Sequence, residues 1–439
     1  MKTTSIGFLS GLVCLLTCAF ALTSCATVSA PAQGASLPTV APPCALALAA
    51  SAGNSALDKE IAHWQDKSRS ARREVSNLSL EQLGWKYIEK ARTNYDPGAY
   101  KLAEACAICL QSNNSQTLPE SMLLQGHALH QMHKFKEAEP IARALVKARG
   151  LSFDYGLLGD VLMEQGKLPE AITAYQEMMN QKPNLQAYSR AAHIRWLTGD
   201  LKGAGEIARK AAQAGSPQDP ISTAWAYTRL ALYEWQLGHT GQAEQAISIA
   251  LSIQPAYAPA LLIRGRMFLV EKKNNEAIAT LKQAAQANPL PEYQWALAEA
   301  FRLAGNTDEA TVIETEMMAK GGQSDPRTLA VFMATKPGHA ERALQLARQE
   351  LEARKDVFTY DALAWALQAA GKTAEAYVAI KQALATGTKD ARLDFHAGVI
   401  TAGIGNRSEA HRYYRRAYSN RQMLLPSERE GLARQMPAT

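Results

Sequence analysis

The chain has 439 residues, of which 47% are hydrophobic and 20% are charged, a balance typical of a folded protein rather than a disordered one. Its formal net charge of +6 is mild for this length and gives no argument for nucleic-acid binding. Six cysteines in so long a chain do not indicate a disulfide framework.

The first 25 residues differ in character from the rest of the chain. Lys2 is their only charged residue, and an uncharged apolar run extends over residues 6–22. Such a run at an N-terminus is typical of a targeting segment, so we expect residues 1–24 to be a signal peptide. A retained transmembrane helix is disfavoured, because the run is only about as long as a short membrane span and ends in small residues.

The apolar run ends in the sequence LTSC, residues 22–25, which resembles the lipobox of bacterial lipoproteins. The resemblance implies cleavage before Cys25 and lipidation of the Cys25 thiol. With Ala26 following, it also implies an outer-membrane lipoprotein that faces the periplasm of a Gram-negative cell. The alternative is a plain secretory peptide, cut after Ala30, which would give a secreted protein.

The sequence after Cys25 is rich in Ala, Pro and Ser. We therefore expect residues 25–57 to be a flexible tether. Residues 58–118 are expected to form N-terminal helices that include a degenerate repeat. Residues 119–423 are expected to form a repeat array, and residues 424–439 a C-terminal tail.

Most of the chain after residue 119 shows one repeating spacing of alanine residues. An alanine recurs at intervals of 33 or 34 residues, with one interval of 39, at Ala138, Ala171, Ala204, Ala243, Ala277, Ala310, Ala343, Ala376 and Ala410. Each unit holds two stretches with apolar residues at three-to-four spacing, joined by a turn. A fixed period in this range predicts a solenoid of helical hairpins.

A small residue stands twelve positions before nearly every one of these alanines, which would let the two helices of a hairpin approach closely. In one unit the pattern consists of Tyr155, Leu158, Gly159, Ala171, Tyr175 and Pro183. It resembles the marker positions of the tetratricopeptide repeat (TPR), and the resemblance extends from about residue 78 to residue 418. It implies an all-α fold, an α-α solenoid forming a right-handed TPR superhelix of about nine to ten repeats. Each repeat is expected to pack only against its neighbours.

A TPR superhelix has a concave surface lined mainly by the first helix of each pair. On each first helix, the inward positions lie six and three residues before the small residue, and one and four after it. The binding groove predicted from these positions consists of Asp160, His193, Trp196, Trp225, Trp235, Arg266, Trp295, Glu299, Arg302, Phe332 and Trp365. Aromatic rings spaced along a groove with charged residues between them suit an extended peptide or a helix of another protein. The alternative is that individual tryptophans only fill the narrow core of the superhelix.

Two further clusters of residues are candidate chemical sites. His127, His130 and His133 stand at i, i+3 and i+6, but no carboxylate with ligand spacing accompanies them, which favours polar groove residues over a metal site. Cys106 and Cys109 form a C-x-x-C late in a helix. Redox pairs of this kind lie at a helix N-terminus, where the dipole lowers the thiol pKa, so core thiols are favoured.

The chain contains no nucleotide-binding glycine loop and no nucleophile motif. We therefore expect a non-catalytic protein–protein interaction scaffold of the cell envelope, without cofactor or metal. It would bind a peptide or protein in the concave groove, attach to the membrane through its lipid anchor, and bind no nucleic acid. The alternative is a carrier of a glycan-like small ligand stacked on the groove tryptophans. An enzyme built on the histidine and cysteine clusters is a third hypothesis.

Overall fold

The computed structural model describes residues 42–50, 53–70 and 72–436, so Cys25 and the predicted signal peptide lie outside the described residues. Within these ranges the chain forms 23 α-helices and no strand, which confirms the all-α prediction. The helices are α1 (Pro43–Ala47), α2 (Ala56–Ser68), α3 (Arg73–Asn94), α4 (Gly98–Ser112), α5 (Pro119–Gln131), α6 (Phe135–Ala148), α7 (Ser152–Glu164), α8 (Leu168–Gln181), α9 (Leu185–Leu197), α10 (Leu201–Gln213), α11 (Pro220–Gln236), α12 (Thr240–Ile253), α13 (Ala258–Val270), α14 (Asn274–Ala287), α15 (Pro291–Leu303), α16 (Thr307–Lys320), α17 (Pro326–Ala334), α18 (Ala340–Ala353), α19 (Val357–Ala369), α20 (Thr373–Leu384), α21 (Ala391–Gly403), α22 (Arg407–Ser419) and α23 (Pro426–Gln435). No helix in these ranges has both the length and the apolar character needed to span a bilayer.

Consecutive helices pack in pairs from α3–α4 to α21–α22, which gives ten helical hairpins stacked in chain order. Short turns join the two helices of a pair. Gly166, after α7, has a φ of +74°, the left-handed conformation that glycine adopts without steric cost. The α-α solenoid of about nine to ten repeats is therefore confirmed.

The small residue of each hairpin lies against the second helix, as its position in the repeat predicts. A β-carbon added to Gly159 would lie 2.3 Å from the ring of Tyr175, sixteen residues later. The same offset recurs at Gly265 against Leu281 and at Gly398 against Tyr414, where an added β-carbon would lie 2.4 Å from the neighbouring side chain. A side chain at one of these glycines would therefore require the facing Tyr or Leu to move.

The predicted tether is shorter than expected at its C-terminal end. Residues 43–47 form α1, and Cys44 makes a disulfide with Cys109 of α4. Ala47 is fully buried, and its carbonyl accepts a hydrogen bond of 3.1 Å from the Tyr87 hydroxyl. The prediction of a core thiol is therefore wrong for Cys109, which is in a disulfide. It is confirmed for Cys106, which is a buried free thiol.

The array also makes long-range contacts, contrary to the expectation that each repeat packs only against its neighbours. The backbone N–H of Lys355, between α18 and α19, donates to the Glu164 carbonyl at the end of α7 at 2.8 Å. The Thr388 hydroxyl, between α20 and α21, donates to the Leu197 carbonyl at the end of α9 at 2.6 Å. Connections of the later hairpins thus lie against the first helices of the earlier ones.

We expect replacement of Cys44 with Ser to lower the free energy of unfolding of the N-terminal hairpins by about 2–4 kcal/mol, because the disulfide closes a long loop. Hydrogen exchange of the α3 and α4 amides would measure the loss. Cys106→Ala is the matched control, since it removes a thiol from the same helix and keeps the disulfide. Equal protection in the two variants would contradict a stabilising disulfide.

Candidate peptide-binding inner face

The inner face of the array is the surface formed by the first helices of the hairpins, α7, α9, α11, α13, α15, α17, α19 and α21. The sequence predicts that this surface is an open groove. In the structure, several of the predicted groove residues contact parts of the chain that come about 100 to 190 residues later, and these residues are largely covered.

Trp196 of α9 lies at the centre of one such contact. Its ring stacks on Phe358 of α19, with the ring centroids 5.5 Å apart and the planes inclined by 19°. Its indole N–H donates to the Gln236 side chain at 2.8 Å. Trp196 therefore faces inward as predicted, but both its ring face and its polar atom already have partners within the protein.

Asp160 and His193 are both engaged by side chains of the protein itself. Asp160 accepts bonds of 2.7 and 2.5 Å from the Arg190 guanidinium and a bond of 2.8 Å from the Tyr175 hydroxyl. Burial alone would raise the pKa of Asp160, but Arg190 holds it below its usual value. The His193 ring stacks on Trp196, and burial together with the charge of Arg229 lowers the pKa of His193 to about 3. His193 is therefore neutral at pH 7.

Trp235 and Arg266 contact residues 422 and 423, near the end of the chain. The guanidinium of Arg266 lies over the Trp235 ring, 5.7 Å from its centroid, and donates to the carbonyl of Met423. The Gln422 side chain donates to the Trp235 carbonyl at 3.4 Å. Burial and the nearby charge of Arg392 lower the pKa of Arg266. These two residues therefore contact a polypeptide segment, although it belongs to the same chain.

Glu299 makes a second contact with the end of the chain, and Trp295 and Phe332 of the neighbouring hairpins pack against each other. The Phe332 ring meets the Trp295 ring edge-on at 5.5 Å, and Arg392 lies over Trp295 at 4.9 Å. The Glu299 carboxylate accepts from the backbone N–H of Ser427 at 3.0 Å and from its hydroxyl at 2.5 Å. Burial raises the pKa of Glu299, although these two hydrogen bonds act in the opposite direction.

The remaining predicted residues are not brought into these contacts. Trp225, at the start of α11, is 38% exposed. Arg302 is exposed and pairs with Glu314 at 2.7 Å. Trp365 is half-buried and stacks on the ring of His396 at 4.0 Å.

The structure therefore corrects the idea of an open groove. Trp235 and Trp295 are each only 2% exposed, and Phe332 is fully buried. The inner face is narrow enough for its own later segments to fill it. The ring faces of Trp196 and Trp295 are covered by Phe358 and Arg392, so a sugar cannot stack on them in this arrangement.

The histidine cluster is dispersed among aromatic and basic side chains. His127 lies 2.8 Å from the Arg92 guanidinium, His130 lies edge-on to Phe135, and His133 stacks on Phe135. Among the described residues, no group of three or more histidines, cysteines or acidic residues could hold a metal ion.

Sequence reasoning missed the C-terminal contacts because it treated residues 424–439 as a tail. In the structure, α23 lies within this range, and Glu428 pairs with Arg392 at 2.5 and 3.2 Å. A signal was available. Pro426 and Glu428 suit the first turn of a helix, and the Glu428 carboxylate accepts from the Leu425 N–H at 2.8 Å.

The stacked hairpins and their inner face define an α-solenoid scaffold. The family described as Tetratricopeptide repeat matches residues 123–184, 157–220 and 228–290, so these parts of the chain carry tetratricopeptide repeats. Repeats of this family are generally non-catalytic scaffolds that bind proteins, and the family match gives no sign of an enzymatic fold.

Solved structures with similar arrays share little sequence with this chain. Pseudomonas aeruginosa PilF is 14% identical, with a TM-score of 0.40, over 50% of this chain and 97% of that protein. PilW, a type IV pilus biogenesis factor, is 13% identical with a TM-score of 0.40, over 49% and 98% of the two chains. Human IFIT1 bound to m7Gppp-AAAA is 14% identical with a TM-score of 0.47, over 86% and 94%. Structural similarity at these identities and TM-scores carries no argument about function. No curated protein matches the sequence.

The burial of the tryptophans predicts different losses of stability for two alanine variants. Trp295→Ala should cost about 3–5 kcal/mol of stability, because it empties a packed site. Trp225→Ala should cost clearly less, because 38% of its surface is exposed and less of it is packed. Thermal unfolding followed by circular dichroism measures both. Similar melting temperatures for the two variants would show that Trp295 is not packed as described.

The lowered pKa of His193 predicts a loss of stability in acid. Below about pH 6.5 the unfolded chain binds a proton at His193 that the folded chain excludes, so the free energy of unfolding falls as the pH decreases toward 3. His193→Gln should recover up to about 2 kcal/mol at pH 5 relative to its effect at pH 7.5. Denaturant melts at the two pH values measure this difference. The exposed His411→Gln is the control, and an identical pH dependence in both variants would contradict the prediction.

Proposed function

We propose that this protein is a non-catalytic protein–protein interaction scaffold of the bacterial cell envelope, which binds a peptide or protein segment on the inner face of its TPR array. The observation that carries the proposal is the set of hydrogen bonds and ion pairs that the inner face makes with the end of the chain. Arg266 binds a backbone carbonyl, Glu299 binds a backbone N–H and a hydroxyl, and Arg392 binds a carboxylate. These are the interactions by which a surface recognises a peptide.

Two features support an envelope location. The LTSC sequence at residues 22–25 resembles a lipobox, and lipidation of Cys25 would hold the array at a membrane. The Cys44–Cys109 disulfide suits an oxidising compartment such as the periplasm, because disulfides are rare where cellular thiols keep cysteines reduced.

The proposed site has an accessible edge. Trp235, Met267, Glu271 and Gln422 are among the residues that line a cavity of about 330 Å³ beside the end of the chain. Glu271 is exposed there. A partner could therefore approach the inner face at the C-terminal ends of α11 and α13.

Photo-crosslinking in the native cell tests this assignment. A photoreactive phenylalanine at position 271 should trap a discrete partner protein, because it lines the accessible edge of the inner face. The same residue at position 378, which is 63% exposed on the second helix of a hairpin, is the control and should not trap that partner. Capture of the same products from both positions would refute the inner-face assignment. Adding Cys25→Ser should move the trapped complex out of the membrane fraction.

A further inference from the structure

After the last hairpin, the chain continues with a further segment that packs against much earlier helices. After α22, residues 421–423 form a 3-10 turn, Leu424 and Leu425 are extended, and α23 follows. We define residues 420–436 as the C-terminal segment. It does not simply cap the last hairpin, because it reaches α11, α13 and α15, whose residues come some 130 to 190 positions earlier.

The contacts of the C-terminal segment resemble those of a bound peptide. Leu424 and Leu425 are 3% and 4% exposed, so an apolar pair is buried at its centre. One backbone carbonyl, that of Met423, receives the Arg266 guanidinium. The adjacent Ser427 and Glu428 bind Glu299 and Arg392, a carboxylate and a guanidinium provided by two different hairpins.

The paired charges make these contacts selective. Glu428 and Glu299 are both buried; Glu428 pairs with the Arg392 guanidinium, and Glu299 accepts a hydrogen bond from the Ser427 hydroxyl. A segment without a carboxylate at the Glu428 position would leave the Arg392 guanidinium unpaired in a largely desolvated site, which is costly. A segment without a hydroxyl at the Ser427 position would leave Glu299 without one of its two hydrogen bonds to the segment, because the backbone N–H would remain.

The C-terminal segment is also able to leave without dismantling a repeat. It follows the last complete hairpin, so its release breaks no hairpin. Most of the second half of α23 is exposed, including Ala433, Arg434 and Gln435. The segment is therefore anchored mainly through residues 422–428 and Leu432, beside the cavity that Gln422 helps to line.

We propose that the C-terminal segment is a built-in occupant of the inner face, and that a partner displaces it with a segment of the same chemistry. That chemistry is two adjacent apolar residues, one intervening residue (Pro426 here), and then a hydroxyl donor and a carboxylate. This inference rests on the proposed function and specifies the class of peptide that the inner face takes. In the absence of a partner, the occupant keeps the Arg392 guanidinium paired with a carboxylate and the Glu299 carboxylate hydrogen-bonded.

A synthetic peptide with the sequence of residues 420–436 tests the inference. It carries a fluorescent label, and its binding to the full mature chain is measured by fluorescence anisotropy. The double variant Ser427→Ala, Glu428→Gln weakens the occupant but leaves the inner face unchanged. It should bind the peptide at least tenfold more tightly than the wild type, because the fraction of open sites rises.

Two controls test whether binding depends on the hydroxyl and carboxylate of the peptide. Adding Arg392→Gln to the double variant should abolish the gain in affinity, because the carboxylate of the peptide loses its partner. A peptide carrying the same Ala and Gln replacements should bind the double variant at least tenfold more weakly than the native peptide. Equal binding of the native peptide to the wild type and the double variant would overturn the inference.

The outcomes also separate this inference from the proposed function. If circular dichroism shows that the double variant is unfolded, Ser427→Ala alone is measured in the same way and decides the question. If the peptide binds none of the folded variants while position 271 still traps a partner in cells, the built-in occupant is refuted and the scaffold function stands. If position 271 traps nothing but the peptide binds as predicted, the inner face is a peptide site that serves only this chain.

Discussion

The structure depends on contact between segments that are far apart in the chain. A simple solenoid gains its stability from each repeat and its nearest neighbours. Here the connections that follow α18, α20 and α22 contact the C-terminal ends of α7, α9 and α11. These contacts close the array around its own axis. They tie the earlier and later hairpins together, so the stability of one half depends on the other.

This closure changes the meaning of the inner aromatic residues. In an open superhelix, Trp196 and Trp295 would be binding groups. In the closed array they pack against Phe358, Phe332 and Arg392 and contribute to the core. The charged and polar side chains of the inner face bind the chain's own backbone instead: Arg266 binds the Met423 carbonyl and Glu299 binds the Ser427 N–H, groups that any peptide also has.

The sequence was sufficient to predict what is periodic. The alanine spacing gives the hairpins, the glycine at position 159 gives the close contact with Tyr175, and the helical phase places Trp196 inward. It could not predict closure, because a repeat pattern describes one hairpin and its neighbours but not the curvature that accumulates over ten of them. The same limit explains the missed C-terminal segment. The Cys44 disulfide was missed because an Ala- and Pro-rich composition gave no sign of a packed helix at residues 43–47.

The Cys44–Cys109 bond has a mechanical consequence. It forms a covalent loop that contains α2 and α3, with its two ends joined at α4. A pulling force applied at the N-terminus of the chain would pass from Cys44 directly to Cys109 and then into the later hairpins. The residues between the two cysteines would carry little of that load, so the first hairpin could not be unravelled by tension from its own end.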